Sequence, residues 1–190
     1  MGFNVSDFSQ SICNYGDNKI FASRMKTPIG EMLTLETHQG ICLLEFSDRI
    51  GLDREVNAIL QKTKGRLIAK ENHFSHQLLK ELDAYFEDAS SRFKVSLELI
   101  GSEFQKLVWN ELTTFPVGIT HTYSQVAEMI GKPKAARAVG HANARNPIAI
   151  VIPCHRLIGA SGNLTGYGGG IWRKEWMLKH EKEPGISDRK

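Results

Sequence analysis

Residues 122–145 read TYSQVAEMIGKPKAARAVGHANAR, and two helical signatures separated by a proline turn decide how the second half of the chain folds. Thr122 followed by Gln125 has the spacing of a capping box, with Ser124 and Gln125 on the first turn. Val126, Met129 and Ile130 then form an inward face at helical spacing. That helix stops at Gly131-Lys132-Pro133, because proline disfavours helix in the residue before it. A second helix, from about Lys134 to Asn143, has two unlike faces. Lys134, Arg137, His141 and Arg145 share one arc of roughly 80°, opposite Ala135, Ala138, Val139 and Ala142. Helix, short turn and helix with a basic outer face is the layout of a helix-turn-helix, in which Ala136 and Gly140 would allow close approach to DNA.

Upstream, Ser102 with Gln105 repeats the capping signature, and Phe104, Leu107, Val108 and Leu112 supply an apolar face ending at Phe115-Pro116-Val117-Gly118. Downstream, IAIVIP reads as a short buried strand. The first half has a different texture. Short β-like runs (KIFASRM, EMLTLE, ICLLEF) mix with helical stretches near 51–62 and 72–87, and Gly40 suits a hairpin turn. The expected class is α+β, with an α/β domain over 1–99 and a DNA-binding domain over 100–190.

Charge supports that division. Residues 1–100 hold 12 basic and 14 acidic side chains, and 101–190 hold 12 and 7, so the halves carry −2 and +5. From Met129 to Lys174 there is no Asp or Glu, while Lys132, Lys134, Arg137, Arg145, Arg156, Arg173 and Lys174 are present; such a segment suits a phosphate backbone. Cysteines 13, 42 and 154 form no close pairs, which argues against a disulfide framework and for a reducing, cytoplasmic setting. Neither Cys13, Cys42 and His38 nor the helical pair His73 and His76 has the spacing of a zinc site, so no metal is expected. No apolar stretch reaches the roughly 20 residues of a membrane span. The opening MGFNVSDFSQ lacks the regions of a signal peptide, and its match to a myristoylation pattern at Met1, Gly2 and Ser6 is read as chance.

The chemistry is expected at VIPCHRL, residues 151–157. An ordinary thiol has a pKa near about 8.5, so Cys154 needs a base to become a nucleophile. His155 is adjacent, but neighbours in an extended segment point to opposite sides, so contact through a water competes with direct contact. In the last helix, Lys174, Met177, Leu178 and Glu181 fall on neighbouring parts of one face, which directs Glu181 inward as a partner for His155. The intervening LIGASGNLTGYGGG has no phosphate-loop lysine; its glycines permit close approach to a flat ligand.

PCHR at 153–156, with ARAVG at 136–140, RNP at 145–147, GYGGG at 166–170 and KEWMLKHE at 174–181, resembles the O6-alkylguanine-DNA alkyltransferase family over about residues 100–183. The resemblance implies an N-terminal ribonuclease-H-like α/β domain and a C-terminal winged helix-turn-helix domain. It also implies stoichiometric alkyl transfer from O6-alkylguanine in double-stranded DNA, bound through the minor groove with the base flipped out, by a monomer and without a cofactor. Cys154 would be the acceptor, His155 its base, Glu181 the holder of His155, and Asn146 the residue orienting them. Tyr123 would assist the departing guanine and Lys174 would lie near its oxygen. Arg137 would fill the gap in the stack, flanked by Lys134, Ser124, Gln125, Ala136, Ala138, His141, Arg145 and Arg156. Tyr123, Ile152, Pro153, Tyr167, Gly168 and Gly169 would line the pocket. Two departures stand out: Gly168 where many relatives have serine, and Ala149 where some have a second proline, which implies a roomier wall.

A winged-helix transcription regulator would explain the basic helix but not PCHR. A non-catalytic alkylated-DNA-binding protein would lack the cysteine, and a cysteine protease would place its histidine far from it.

Overall fold

The alternating runs of the first half become strands because each buries one face or both. The computed structural model describes residues 12–164 and 166–182 and divides into two units, Met1–Phe86 with Ser91–Ile100, and Glu87–Ser90 with Gly101–Lys190. The pattern at Met1, Gly2 and Ser6 lies outside the described residues. Among these residues no helix is long and apolar enough to cross a membrane.

In the first unit, β1 (Asn18–Thr27), β2 (Gly30–Glu36), β3 (Ile41–Phe46) and β4 (Gly65–Ala69) form one sheet in the order β3-β2-β1-β4. β1 and β2 pair antiparallel with Ala22 opposite Leu35, and β1 and β4 pair parallel with Ile20 opposite Leu67. The parallel pair requires a crossover, which the helix α1 (Leu52–Thr63) supplies. Its Leu52, Val56, Ile59 and Leu60 pack on Ile20, Ala22, Leu33, Leu35 and Leu43. β2 is buried from Met32 to Glu36, so its second face is covered too. There Glu36 accepts a bond of 2.6 Å from the backbone amide of Ser75, at the start of α2 (His73–Glu87). Strand β4 carries no sequence signal of its own, because GRLIA is five residues long and abuts a helix end. Gly40 lies in the β2–β3 turn as expected, and what demands glycine there is contact: an added Cβ would come 2.4 Å from the Ser96 carbonyl oxygen.

The second unit is α3 (Glu103–Leu112), β5 (His121–Thr122), α4 (Tyr123–Met129), α5 (Ala136–Ala144), a single 3-10 turn at Cys154–Arg156, β6 (Leu157–Ile158) and α6 (Ile171–His180). Both capping boxes form: Ser102 and Gln105 close α3, and Thr122 and Gln125 close α4. The inward faces differ from the expected ones. On α3 the buried residues are Val108, Trp109 and Leu112, while Leu107 is exposed. Trp109 turns in because its indole N–H donates to the Ala142 carbonyl at 2.9 Å, satisfying the ring's polar atom at the end of α5. On α4, Val126 and Ala127 are buried and Met129 is exposed. Helix α5 begins at Ala136, leaving Lys134 in the preceding turn; Ala138 faces outward and Asn143 is buried.

The expected strand IAIVIP is a buried turn. Asn146 stitches it: its Oδ1 accepts from the Ile148 amide at 3.0 Å, and its Nδ2 donates to the Ile152 carbonyl at 2.8 Å. Ile150 adopts a left-handed φ of 71° to complete the loop. An apolar run of this length reads alike as strand or buried turn, because periodicity does not reveal a side-chain bridge.

Candidate active site

The Asn146-stitched turn ends at Cys154, whose amide donates to the Ile152 carbonyl at 2.7 Å. Cys154 therefore sits on a tight 3-10 turn rather than on extended chain, and the expectation that its neighbours alternate between faces does not apply. Cys154 is buried, His155 is fully buried, and Glu181 caps the C-terminus of α6. His155 Nε2 lies 2.6 Å from Glu181 Oε1.

Arg156 occupies a place quite different from the DNA surface. It is 7% exposed, its Nε and Nη2 donate to the two oxygens of Glu181 at 2.9 and 3.0 Å, and its Nη1 donates to the Phe115 carbonyl at 2.6 Å. Its role as a DNA contact is thus corrected: every nitrogen of the guanidinium is engaged inside the protein. The Gly118 amide adds a further donor to Glu181 Oε2 at 3.1 Å. Gly118 has φ of 74°, and an added Cβ would come 2.9 Å from the Glu181 carbonyl oxygen, so only glycine serves there.

These contacts set the protonation. Burial alone would raise the Glu181 carboxyl, but hydrogen bonds from His155 and Arg156 and the charge of Arg156 outweigh it and hold the group well below the usual carboxylate range. Burial lowers the His155 imidazole from its ordinary value, against the opposing pull of Glu181. An ionised Glu181 only accepts, so His155 carries its proton on Nε2, and Nδ1 holds the lone pair. Nδ1 is buried with no hydrogen-bond partner among the described residues. The site thus contains a buried imidazole held by Glu181, with its other ring nitrogen unbonded among the described residues, one residue along the chain from the Cys154 thiol.

Lys174 is fully buried on α6, where its amine donates to the Leu157 carbonyl. Burial lowers its pKa, and the charge of a Cys154 thiolate opposes that shift, so thiol and amine are near neighbours. Tyr123 opens α4 directly after β5, which pairs parallel with β6: His121 lies opposite Leu157 and Thr122 opposite Ile158. That ladder ties Tyr123 to the chain leaving Cys154. A Cβ on Gly140 would sit 3.8 Å from the Tyr123 ring, an ordinary contact distance, so packing of α5 on α4 does not by itself demand glycine there. Asn146 acts on the site through the backbone turn, to which both its side-chain atoms bond.

Of the seven cations in the acid-free segment, Arg156, Arg173 and Lys174 point inward, whereas Lys132, Lys134, Arg137 and Arg145 are exposed. Arg173 donates to the Gly169 carbonyl at 2.6 Å and anchors the glycine loop below α6. Ser124, Gln125, Ala138 and His141 are exposed beside the basic face, and Ala136 is partly so; the Gln125 side-chain oxygen accepts from the Thr122 amide at 2.8 Å. Of the pocket residues, Ile152, Pro153 and Gly169 are buried, Tyr123 and Tyr167 are partly buried, and Gly168 is exposed. Sequence reading missed Asn143, whose Nδ2 donates to the Cys154 carbonyl at 3.3 Å, as well as Gly118; the signals were a polar residue on the apolar face of α5 and a glycine just beyond a helix end. Among the described residues no group of three or more metal-binding side chains gathers.

Known proteins share both units. The family model for the 6-O-methylguanine DNA methyltransferase ribonuclease-like domain matches residues 20–99, and that for the DNA-binding domain of the same enzyme matches residues 103–183. A Methanosarcina barkeri methylated-DNA–protein-cysteine methyltransferase is 42% identical over 159 residues, covering 83% of this chain and 94% of its own. A Mycobacterium leprae protein of that name is 54% identical over 112 residues, covering 59% and 68%. The crystal structure of Mycobacterium tuberculosis O6-methylguanine methyltransferase superposes with a TM-score of 0.74 at 38% identity, covering 89% of this chain and 96% of that one. Mycobacterium tuberculosis OGT in complex with DNA gives 0.70 at 39% identity, covering 86% and 92%. With both units matched in order along the chain, it belongs to the 6-O-methylguanine DNA methyltransferase family.

Proposed function

We propose that this protein repairs alkylated DNA by moving the alkyl group of an O6-alkylguanine onto its own Cys154. The observation that carries the reading is the buried His155–Glu181 pair at 2.6 Å, which leaves His155 Nδ1 as a base beside a buried thiol in the DNA-binding unit. Proton transfer from Cys154 to His155, directly or through a water, produces the thiolate. The thiolate attacks the alkyl carbon in line, a carbon–sulfur bond forms, and the bond from that carbon to O6 breaks. The electron pair leaves with the guanine, which is stabilised by a hydrogen bond from the Tyr123 phenol; the proton lost by the thiol balances the one the guanine gains. A thioether resists hydrolysis, so each molecule acts once and needs no cofactor.

The substrate is double-stranded DNA. Lys134 and Arg145, with Lys132, are exposed for phosphates, and Arg137 stands on α5 to replace a base rotated out of the stack through the minor groove, a step costing a few kcal/mol. The flipped base would enter between Tyr123, Ile152, Pro153, Tyr167, Gly168 and Gly169, with Lys174 near its oxygen. Ala149, small and buried in the Asn146 turn, supports acceptance of groups larger than methyl. A thiol acceptor is preserved by a reducing compartment, which supports a cytoplasmic setting.

The test is transfer of tritium from duplex DNA carrying labelled O6-methylguanine. Label should move to the wild-type chain and to Cys42→Ser but not to Cys154→Ser; label retained on Cys154→Ser would overturn the assignment. Equal rates with methyl and benzyl lesions would support the roomier pocket, and strict methyl preference would count against it.

A further inference from the structure

Two buried polar atoms flank the peptide between Cys154 and His155, and among the described residues neither has a hydrogen-bond partner. One is His155 Nδ1, the proposed base; the other is Oδ1 of Asn143, whose Nδ2 donates to the Cys154 carbonyl at 3.3 Å. Asn143 is 7% exposed and belongs to α5, the helix that carries Arg137. A buried amide with one unsatisfied oxygen is costly by about 1–3 kcal/mol, and a hydrophobic residue would satisfy packing on this apolar face, where Val139 and Ala142 are its buried companions. An asparagine here therefore calls for a polar reason.

From this geometry we infer that Asn143 is a positioning residue for alkyl transfer: its Nδ2 fixes the carbonyl of Cys154, and its Oδ1, with His155 Nδ1, accepts the two hydrogens of one water that receives the thiol proton. Both atoms are acceptors, and a single water offers two donors while its oxygen faces the thiol. The water relays one proton to Nδ1 as it takes one from Sγ, so no proton is gained or lost. The inference rests on Cys154 being the acceptor. It adds a second consequence, because the same side chain joins the base-replacing helix to the reacting turn.

The charged groups around the thiol are His155 and Arg156 on its own turn and Lys174 and Glu181 from α6, and none of them is changed by substituting Asn143. The test compares Asn143→Leu with Asn143→Ala in the full chain, using single-turnover methyl transfer from a duplex with one O6-methylguanine, across pH, alongside lesion-DNA affinity. Leucine fills the space without polar atoms, whereas alanine leaves room for water to replace the amide. The expected result is a saturating rate about tenfold lower in Asn143→Leu, a smaller loss in Asn143→Ala, a higher pH midpoint in both, and DNA affinity unchanged within about twofold. A packing role predicts the reverse order, with leucine tolerated and alanine impaired, and that order would overturn the inference. If Asn143→Leu does not fold, the pH midpoint of Asn143→Ala decides: raised supports the water relay, unmoved refutes it. Wild-type chain that takes up no methyl would instead refute the assignment of Cys154.

Discussion

The exposed surface of α5 and of the turn before it, and the buried cluster between the Cys154 turn and α6, both hold cations from one acid-free stretch of sequence, yet they obey different physics. Lys132, Lys134, Arg137 and Arg145 remain in solvent, where no carboxylate within that stretch competes for them. Arg156 and Lys174 are desolvated and bonded, Arg156 to Glu181 and Phe115, Lys174 to Leu157. The first group presents an exposed positive field of the kind that attracts a phosphate backbone. The second holds the chain around the Cys154 turn, and Arg156 keeps the Glu181 beside it ionised. Sequence proximity to the DNA-binding helix says nothing about which group a cation joins; the decisive factor is whether the fold brings buried acceptors to it, Glu181 and the Phe115 carbonyl for Arg156 and the Leu157 carbonyl for Lys174.

The comparison is broken most directly by removing Glu181. Glu181→Ala strands Arg156 and His155 in the interior, and unfolding stability should fall by about 3–5 kcal/mol in denaturant titration. The cluster also predicts the pH response. Glu181 and His155 both have folded values below their ordinary ones, so the unfolded chain takes up protons first as pH falls. Stability should be full above the ordinary histidine value of 6.5 and decline from there, then decline again below the ordinary glutamate value of 4.5. Thermal melts in low-salt buffers across that range, with Glu181→Gln as the reference that removes the second decline, check the sign.

A smaller effect separates the two regions by salt. Lys134→Ala should lower the steepness of log affinity against log salt by about 0.9, as loss of one phosphate contact does, while Arg156→Met should leave the slope unchanged even as it lowers stability. An equal change of slope in both would merge the two groups again. At the low end, Met129→Ser should alter stability by no more than about 0.5 kcal/mol, because Met129 is exposed despite its place in the apolar pattern.

Much of this was legible from residues alone. Capping boxes at Ser102 and Thr122 marked two helices because the side chains and backbone donors that form them lie within one turn. The reach of Glu181 toward His155 was legible because helical spacing directs a side chain. Three features were not. The Asn146 turn looked like strand, since its bonds run from one side chain to backbone atoms that local pattern cannot see. Arg156 looked like a DNA contact, since its partners Phe115 and Glu181 are 41 and 25 residues away. Trp109 takes the core place expected of Leu107 because its ring N–H finds an acceptor in the Ala142 carbonyl, and Ala127 rather than Met129 is buried on α4. Local rules carry local geometry; long-range polar bonds decide the rest.

Intact-mass spectrometry after incubation with excess duplex DNA containing O6-methylguanine tests the central claim most directly. One increment of about 14 Da per chain, mapped to Cys154 and never exceeded however much lesion is supplied, is the predicted result. An unchanged mass with repaired DNA, or increments beyond one, would contradict single transfer to that thiol.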